Sequence, residues 1–367
     1  MTAGTLSRLY TGEGGIDFVG RSKLWYGITA VLLAASVALI ALRGFSLGID
    51  FEGGTKMNMP DANYSVEQVE ETFVDATGIT PELVQVVGAG DSRMVEINSE
   101  RLTEEQIDNA RVALFEKFQP TDQTGEATPD AIGDSTVSES WGSTITNRML
   151  MAMAVFLILT FVYIAIRFER DMSIAAMSAL LVDLVLISGI YSLVGFEVTP
   201  ATIIGLLTVL AFSLYDTVVV FDKVKENTAG FEASRRRTYA EQANLAVNQT
   251  VMRSISTTVI SALPIIALMV VAVWLMGVGT LKDLALVQLI GVIEGTLSSV
   301  FLATPILVSL KRRQKKMQEH EQSVLDLRAG KNPEETPVAR IVTPMADNIP
   351  QGFRDTMGNG KTWRPGQ

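Results

Sequence analysis

Six apolar stretches, each long enough to cross a lipid bilayer, limit what this chain of 367 residues can fold into. About 20 residues, each rising about 1.5 Å along a helix, span a hydrocarbon core of roughly 30 Å. We therefore predict an α-helical membrane protein with six transmembrane helices. The stretches are Leu24–Leu42, Met149–Ile166, Ile174–Val194, Ala201–Phe221, Ile255–Met276 and Leu284–Leu310.

Basic residues lie in every second connection between these stretches. Lys and Arg precede the first stretch, follow the sixth, and occur between the second and third and between the fourth and fifth. The opposite connections, Gly195–Pro200 and Gly277–Asp283, contain one basic residue, Lys282. Because cytoplasmic loops carry the excess of Lys and Arg, we predict that both termini are cytoplasmic.

The segment between the first two stretches has the pattern of a small separate domain. Residues 43–144 contain 20 acidic and 6 basic side chains, within a chain whose formal net charge is −10. The predicted element order, β-α-β-β-α-β, indicates a ferredoxin-like α+β domain outside the membrane. Ser65 and Thr103 each precede a Gln by three residues, which predicts a capping box at the start of each helix. The carboxylates form no catalytic constellation, so we interpret the domain as a contact module.

Composition divides the chain into five parts. Residues 1–23 are predicted to be a loose cytoplasmic segment, and residues 24–42 form the first transmembrane helix. Residues 43–144 form the extracytoplasmic domain, and residues 145–310 form a five-helix transmembrane region. The polar tail, residues 311–367, is predicted to be cytoplasmic and disordered.

The residue types exclude several kinds of chemistry. The chain has no cysteine, so disulfides, cysteine-bound zinc and thiol chemistry are excluded. Its single histidine, His320, lies in the polar tail and cannot carry protons within the membrane. No nucleophile–base set, metal cluster or nucleotide-binding loop stands out, so we predict no enzyme activity, cofactor or metal. Proton transfer within the membrane would have to use carboxyl groups.

Asp216 lies inside the apolar part of the fourth stretch. A carboxylate at the centre of a membrane helix costs roughly 2.5–3.5 kcal/mol, so it normally has a function or a partner. Arg253 lies at a neighbouring depth just before the fifth stretch, and an ion pair between the two side chains is one interpretation. Two alternatives remain: Asp216 reaches water at the end of its helix, or Arg253 is an interfacial anchor.

Asp183 and Glu294 lie deeper, roughly 13–15 Å from the ends of the third and sixth stretches. No basic residue lies at that depth. Each carboxyl group is therefore expected to be neutral, hydrogen-bonded to a polar group or matched by a partner chain. A carboxyl that binds and releases a proton within the membrane is typical of proton-driven machines.

Five motifs are shared with a known family. They are GIDFEGGT at Gly48–Thr55, RFE at Arg167–Glu169, SLYDTVVVFDKVKEN at Ser213–Asn227, NQTVMRS at Asn248–Ser254 and IGVIEGTLSS at Ile290–Ser299. With them the chain resembles the SecD/SecF family of bacterial protein-export membrane proteins, within the resistance–nodulation–division superfamily. The likeness is to its smaller, SecF-type members and covers about residues 48–310. The family-motif residues are Asp50, Phe51, Gly53, Gly54 and Thr217.

The resemblance implies a multi-pass protein of the bacterial cell membrane that works with SecD and binds no nucleic acid. Such proteins use the proton gradient to draw unfolded exported polypeptides outward, after the SecYEG channel and SecA have started translocation. The family's key membrane Asp and Arg correspond to Asp216 and Arg253, and Asp183 and Glu294 are further proton-coupling candidates. Glu294 departs from the family, in which this position is usually small or apolar.

Two alternative functions remain open on the sequence. One is a proton-driven exporter of small solutes from the same superfamily, although such exporters usually carry much larger outer domains. The other is a structural partner of SecD without a proton site of its own.

Overall fold

The computed structural model describes residues 15–330, except residues 62, 89, 123, 231–235 and 276–278. The expectations for residues 1–14 and 331–367 lie outside the described residues. Within the described part, six helices are long and apolar enough to cross a membrane, as predicted.

The first span leads directly into the outer domain. Helix α1 covers Ser22–Arg43 and is followed by the short strand β1, Ser46–Leu47, and the single-turn helix α2, Ile49–Glu52. The chain then enters strand β2, Gly54–Pro60, through paired glycines. Gly54 has a φ of +135°, and a Cβ there would lie 2.5 Å from the carbonyl oxygen of Ser99. Glycine is therefore required at this entry by backbone conformation and by space.

The outer domain is a four-stranded antiparallel sheet with two helices. The strands lie in the order β3-β4-β2-β5. After β2 the elements follow as α3, Val66–Thr77; β3, Leu83–Val87; β4, Met94–Ser99; α4, Glu104–Phe118; and β5, Gly133–Val137. Helices α3 and α4 pack on the sheet around the buried side chains of Met57, Phe73, Ile97 and Leu114. This core is separate from the clusters in the membrane region.

Only one of the two predicted capping boxes forms. Thr103 accepts a hydrogen bond from the backbone of Gln106, whose side chain bonds back to the Thr103 backbone. Ser65 precedes α3, but its hydroxyl donates to the carboxylate of Glu67 and caps no backbone group. The prediction was wrong at Ser65 because a nearer carboxylate competes for the hydroxyl.

The other five spans and their connections follow the outer domain along the chain. The elements are α5, Glu139–Arg167; α6, Arg170–Val194; β6, Glu197–Val198; α7, Pro200–Asn227; α8, Tyr239–Leu268, extended by a π-helical segment, Met269–Leu275; α9, Gly279–Ser298; a second π-helical segment, Ser299–Ala303; α10, Thr304–Lys311; and α11, Lys315–Arg328. Together α9, the second π-helical segment and α10 form the sixth span. Strand β6 pairs in parallel with β1, which joins the two membrane loops on the side of the outer domain.

Three spans are central and three are peripheral. In the third, fourth and sixth spans, 44–50% of the apolar stretch is buried within the chain, against 6–11% in the first, second and fifth. The central pair α7 and α9 approach closely at glycines. A Cβ at Gly205 would lie 2.4 Å from Val287, and one at Gly291 would lie 2.3 Å from Val209. Small residues at helix contacts are the usual device for close packing in membranes.

The predictions of a loose lead-in and a fully disordered tail were wrong for the described parts. Phe18 is 1% exposed, and its backbone N–H donates to Asn244 Oδ1 at 2.8 Å. Residues 315–328 form helix α11, where Met317 and Val324 are buried. The lead-in donates backbone hydrogen bonds to Asn244, and α11 buries two apolar residues seven positions apart, contacts that composition does not reveal.

Candidate functional site

Asp216 lies on α7 in the interior of the bundle. The whole residue is 2% exposed, and its Oδ2 atom is buried without a hydrogen-bond partner. The Ser254 hydroxyl of α8 faces it, and that hydroxyl is also buried and unpaired. Thr217, the next residue on α7, is 3% exposed. Asp216 is therefore a buried carboxyl group with polar neighbours, and its Oδ2 atom accepts no hydrogen bond.

The pair of Asp216 and Arg253, one interpretation of the sequence, does not form as a direct ion pair in the described structure. Arg253 is exposed at the surface of the bundle, and its Nη2 atom donates to the Tyr215 hydroxyl at 3.2 Å. Successive residues on a helix point about 100° apart. Tyr215 therefore faces outward, towards Arg253, while Asp216 faces inward. The guanidinium remains close enough to act electrostatically on the Asp216 carboxyl group.

Asp183 and Glu294 come together at the centre of the bundle. Asp183, on α6, is 0% exposed, and its Oδ2 accepts a hydrogen bond of 2.5 Å from the Ser213 hydroxyl of α7. The Glu294 carboxyl group and the Ser298 hydroxyl, both from α9, lie within hydrogen-bonding reach of Asp183. Asp183 Oδ1, Glu294 Oε2 and Ser298 Oγ are all buried without a hydrogen-bond partner.

We call these groups the buried polar cluster. Its members come from the three central spans and from α8, and they are Asp183, Ser213, Asp216, Ser254, Glu294 and Ser298. Ser213 and Asp216 lie one turn apart on the same helix and are both buried. The cluster can hold protons and pass them between neighbouring oxygens, because it combines carboxyl groups with hydroxyls in an apolar surrounding.

The family-motif residues near the first span do not join this cluster. Asp50 and Phe51 lie on α2, and the Phe51 carbonyl oxygen accepts a hydrogen bond of 3.4 Å from Thr146 of α5. Gly53 and Gly54 form the turn into β2. These residues therefore join the outer domain to the first two spans. Thr217, in contrast, lies beside Asp216 in the bundle.

Two residues of interest were missed on the sequence. Ser254 directly follows Arg253, and a hydroxyl in an apolar helix beside a charged residue was the available signal.

Glu197, in the short loop before α7, is 6% exposed and accepts a hydrogen bond of 3.1 Å from Asn98 of the outer domain. Burial raises the pKa of Glu197, while Lys56, with its Nζ at 3.8 Å, opposes the rise. An acidic residue in a loop of six residues was the signal there.

Two family models match the chain. Residues 119–313 match the model described as "Protein export membrane protein SecD/SecF, C-terminal", and residues 38–60 match the "SecD/SecF GG Motif". The second match contains the paired glycines at the entry to β2, and the first contains the whole buried polar cluster.

Relatives and solved structures agree with these matches. "Protein translocase subunit SecF" of Mycobacterium tuberculosis is 56% identical over 328 residues, covering 89% of this chain and 74% of the relative. The SecF subunit of Streptomyces coelicolor is 39% identical and covers 89% and 85%, respectively. The crystal structure of SecDF from Thermus thermophilus superposes with a TM-score of 0.68 at 27% identity, covering 81% of this chain and 39% of that longer chain.

Proposed function

Because the chain belongs to the SecD/SecF family of protein-export membrane proteins and takes the SecF role in it, we propose that it couples proton movement to export. In this proposal it works with SecD and uses the proton motive force to promote the late stages of translocation. The relatives are named protein translocase subunits, so the small-solute exporter is not favoured. The chain is a multi-pass membrane protein, and the family has SecDF forms in which both parts are one chain.

The observation that carries the proposal is the 2%-exposed carboxyl group of Asp216, which has the Ser254 hydroxyl as its neighbour and no hydrogen bond on Oδ2. A polar atom buried without a partner costs stability, so retaining such a carboxyl group in a membrane interior supports a functional role. Protonation makes Asp216 neutral, and loss of the proton creates a charge that needs a partner. Arg253 is the nearby cation, and in the described structure it bonds Tyr215 instead. We propose that Arg253 turns from Tyr215 to Asp216 when the proton leaves, so that proton occupancy selects between two arrangements of α7 and α8.

We propose that the outer domain is a ferredoxin-like contact module for the emerging unfolded polypeptide. The strand order β3-β4-β2-β5, with β-α-β-β-α-β connectivity, supports the assignment of this fold. We place this domain on the extracytoplasmic side of the bacterial cell membrane and both termini in the cytoplasm, from the distribution of Lys and Arg. SecYEG and SecA are proposed as the machinery that delivers the polypeptide.

The proposed contact with SecD is the face that carries Tyr215 and Arg253. Both residues are exposed, as are Ile293 and Leu297 of α9. A guanidinium at the edge of a lipid-facing helix surface is expensive, and a partner chain would remove that cost. Six spans are also few for a device that alternates between two states, which often joins two repeats.

The test compares proton-gradient-dependent export in vesicles that contain the complex with SecD and SecYEG, and SecA outside. Asp216→Asn keeps the shape of the side chain and removes its titration, so we expect the complex to assemble and the stimulation by the gradient to be lost. Asp326→Asn is the matched control, because Asp326 lies on the cytoplasmic helix α11 and bonds only Gln322 there. Full stimulation in Asp216→Asn would refute the proposal and favour a structural partner of SecD.

A further inference from the structure

The two deepest carboxyl groups of the bundle face each other rather than a positive charge. Asp183 of α6 and Glu294 of α9 are within hydrogen-bonding reach. Asp183 Oδ2 is bonded by Ser213, but Asp183 Oδ1 and Glu294 Oε2 are both buried without partners. One oxygen on each carboxyl group therefore lacks a donor, and the only described hydroxyl near them that is still unpaired is that of Ser298.

The charged groups on the surrounding helices do not supply a counter-charge. On α7, the acidic or basic group nearest to Ser213 along the helix is Asp216, one turn away. On α8, the only cation in the membrane stretch is Arg253, which bonds Tyr215 on the outside of the bundle. On α10, Lys311 lies at the cytoplasmic end and pairs with Glu169 and Asp171. In the part of helices α6–α10 that the structure describes, no cation faces the pair.

Two adjacent carboxylates in an apolar interior repel strongly, and a proton held between them removes the repulsion and supplies the missing donor. The unpaired Ser298 hydroxyl, 7% exposed, is a further donor aimed at the same position. Asp183 and Glu294 are thus positioned so that the protonated carboxyl group of one can donate to the carboxylate of the other.

We propose that Asp183 and Glu294 form a proton-sharing pair in the middle of the membrane, and that it exchanges protons with Asp216 through the Ser213 hydroxyl. The exchange with Asp216 rests on the proposed function, whereas the shared proton does not. In each transfer Ser213 releases its proton to one carboxylate and receives one from the other carboxyl group. The pair therefore keeps one proton at rest and takes up a second one only in transit.

Infrared spectroscopy of the purified complex with SecD tests the shared proton. A protonated carboxyl group has its own C=O stretch, distinct from the bands of a carboxylate. We expect a component of this band at neutral pH in the wild type and in Asp216→Asn and Asp326→Asn, a shifted component in Glu294→Gln, and loss of that component in the double variant Asp183→Asn/Glu294→Gln. Absence of the band from the wild type, or a double-variant spectrum identical to that of the wild type, would overturn the pair.

A cation is the competing occupant, because oxygens of Asp183, Glu294 and Ser298 meet at this position. The same spectra in sodium and in potassium salts separate the two occupants. Loss of the protonated band on changing from potassium to sodium would show that the pair binds sodium and would overturn the proton assignment; identical spectra support it.

The transfer step is tested separately by export in vesicles. Ser213→Ala removes the bridging hydroxyl, and we expect a severalfold lower gradient-dependent rate. Ser178→Ala is the control, because Ser178 lies on α6, is half-buried, and donates to the Ile174 carbonyl of its own helix. A wild-type rate in Ser213→Ala would overturn the relay. The infrared result is independent of export, so failure of the pair and failure of the Asp216 proposal are distinguishable.

Discussion

Asp61 in the outer domain and Asp216 in the membrane bundle are almost equally buried, with 9% and 2% exposure, but their surroundings differ. Asp61 has Arg93 Nη2 at 2.7 Å from its Oδ2, and its Oδ1 accepts a hydrogen bond of 2.7 Å from the Tyr64 backbone. Asp216 forms no ion pair among the described residues, because the neighbouring Arg253 bonds Tyr215. The Asp61 carboxylate is stabilised by its ion pair, whereas burial of the Asp216 carboxyl group costs folding free energy. This difference supports the functional role that we propose for Asp216.

The two regions also differ in how their interiors are filled. The outer domain buries large side chains such as Phe73 and Leu114 between sheet and helices. In the bundle, the central helices α7 and α9 meet through glycines such as Gly205 and Gly291. Burial of large side chains from water stabilises the first region, while close van der Waals contact stabilises the second, because lipid is itself apolar.

The largest effect on stability is expected for Phe73→Ala in the outer domain. Phe73 is 0% exposed, so its truncation leaves a cavity and should cost about 3–5 kcal/mol of unfolding free energy. Ile166→Ala is the control, because Ile166 is 82% exposed on α5 and should cost little. Hydrogen exchange of α3 and β4 in the full chain measures both. Equal protection in the two variants would show that the buried Phe73 side chain does not stabilise the outer domain.

Gly291→Val should have the next largest effect, and it tests the close contact in the bundle. The added side chain would collide with Val209, which lies 2.3 Å from the position of a Cβ. Overpacking of this kind costs about 1–3 kcal/mol, and we expect a thermal unfolding midpoint several degrees lower. Gly27→Val, on α1, has nothing within 4 Å of the corresponding position and is expected to unfold like the wild type. A wild-type midpoint for Gly291→Val would show that α7 and α9 need no glycine contact.

Glu197→Gln should change how pH affects the contact between the two regions. We call the state in which Glu197 contacts Asn98 of the outer domain the docked state. Burial raises the pKa of Glu197 in this state, so the docked state binds more protons than the undocked state. Docking is therefore expected to weaken as pH rises above the ordinary glutamate range and through the raised value. The Gln variant should lose this dependence.

Spin labels measure this equilibrium directly, because the chain has no cysteine of its own. Val112→Cys on α4 and Leu193→Cys on α6 provide exposed positions in the two regions. A distance distribution that changes with pH equally in the wild type and in Glu197→Gln would contradict the assignment to Glu197.

The smallest effect is expected for Arg167→Ala at the C-terminal end of α5. Arg167 pairs with Asp222 at 2.7 Å, but the two side chains are 41% and 42% exposed. An exposed pair contributes about 0–1 kcal/mol and is screened by salt. Arg93→Ala in the outer domain should cost more, because it leaves Asp61 buried without its cation. Thermal unfolding at low and high salt compares the two, and a larger loss for Arg167→Ala would reverse the ranking.

Several features of the site were within reach of the sequence. The apolar length of the fourth stretch and the isolated carboxylate within it indicated Asp216, and counting residues placed Asp183 and Glu294 near the same depth. The pairing of Asp183 with Glu294 was not predictable, because it depends on the rotation of α6 and α9 about their axes. The ion pair of Asp216 with Arg253, one of the interpretations left open on the sequence, does not form in the described structure for the same reason, since one residue of difference moves a side chain by about 100°.

The sequence by itself determined the number of spans, the position of the outer domain and the depth of each carboxyl group. The bilayer imposes a length on each helix that does not depend on its neighbours, so these properties can be read from one stretch at a time. Only the tertiary structure decided which spans are central, that Arg253 bonds Tyr215 and that Asp183 meets Glu294. Each of those contacts joins residues far apart in the chain, and helix packing, rather than the local sequence, brings them together.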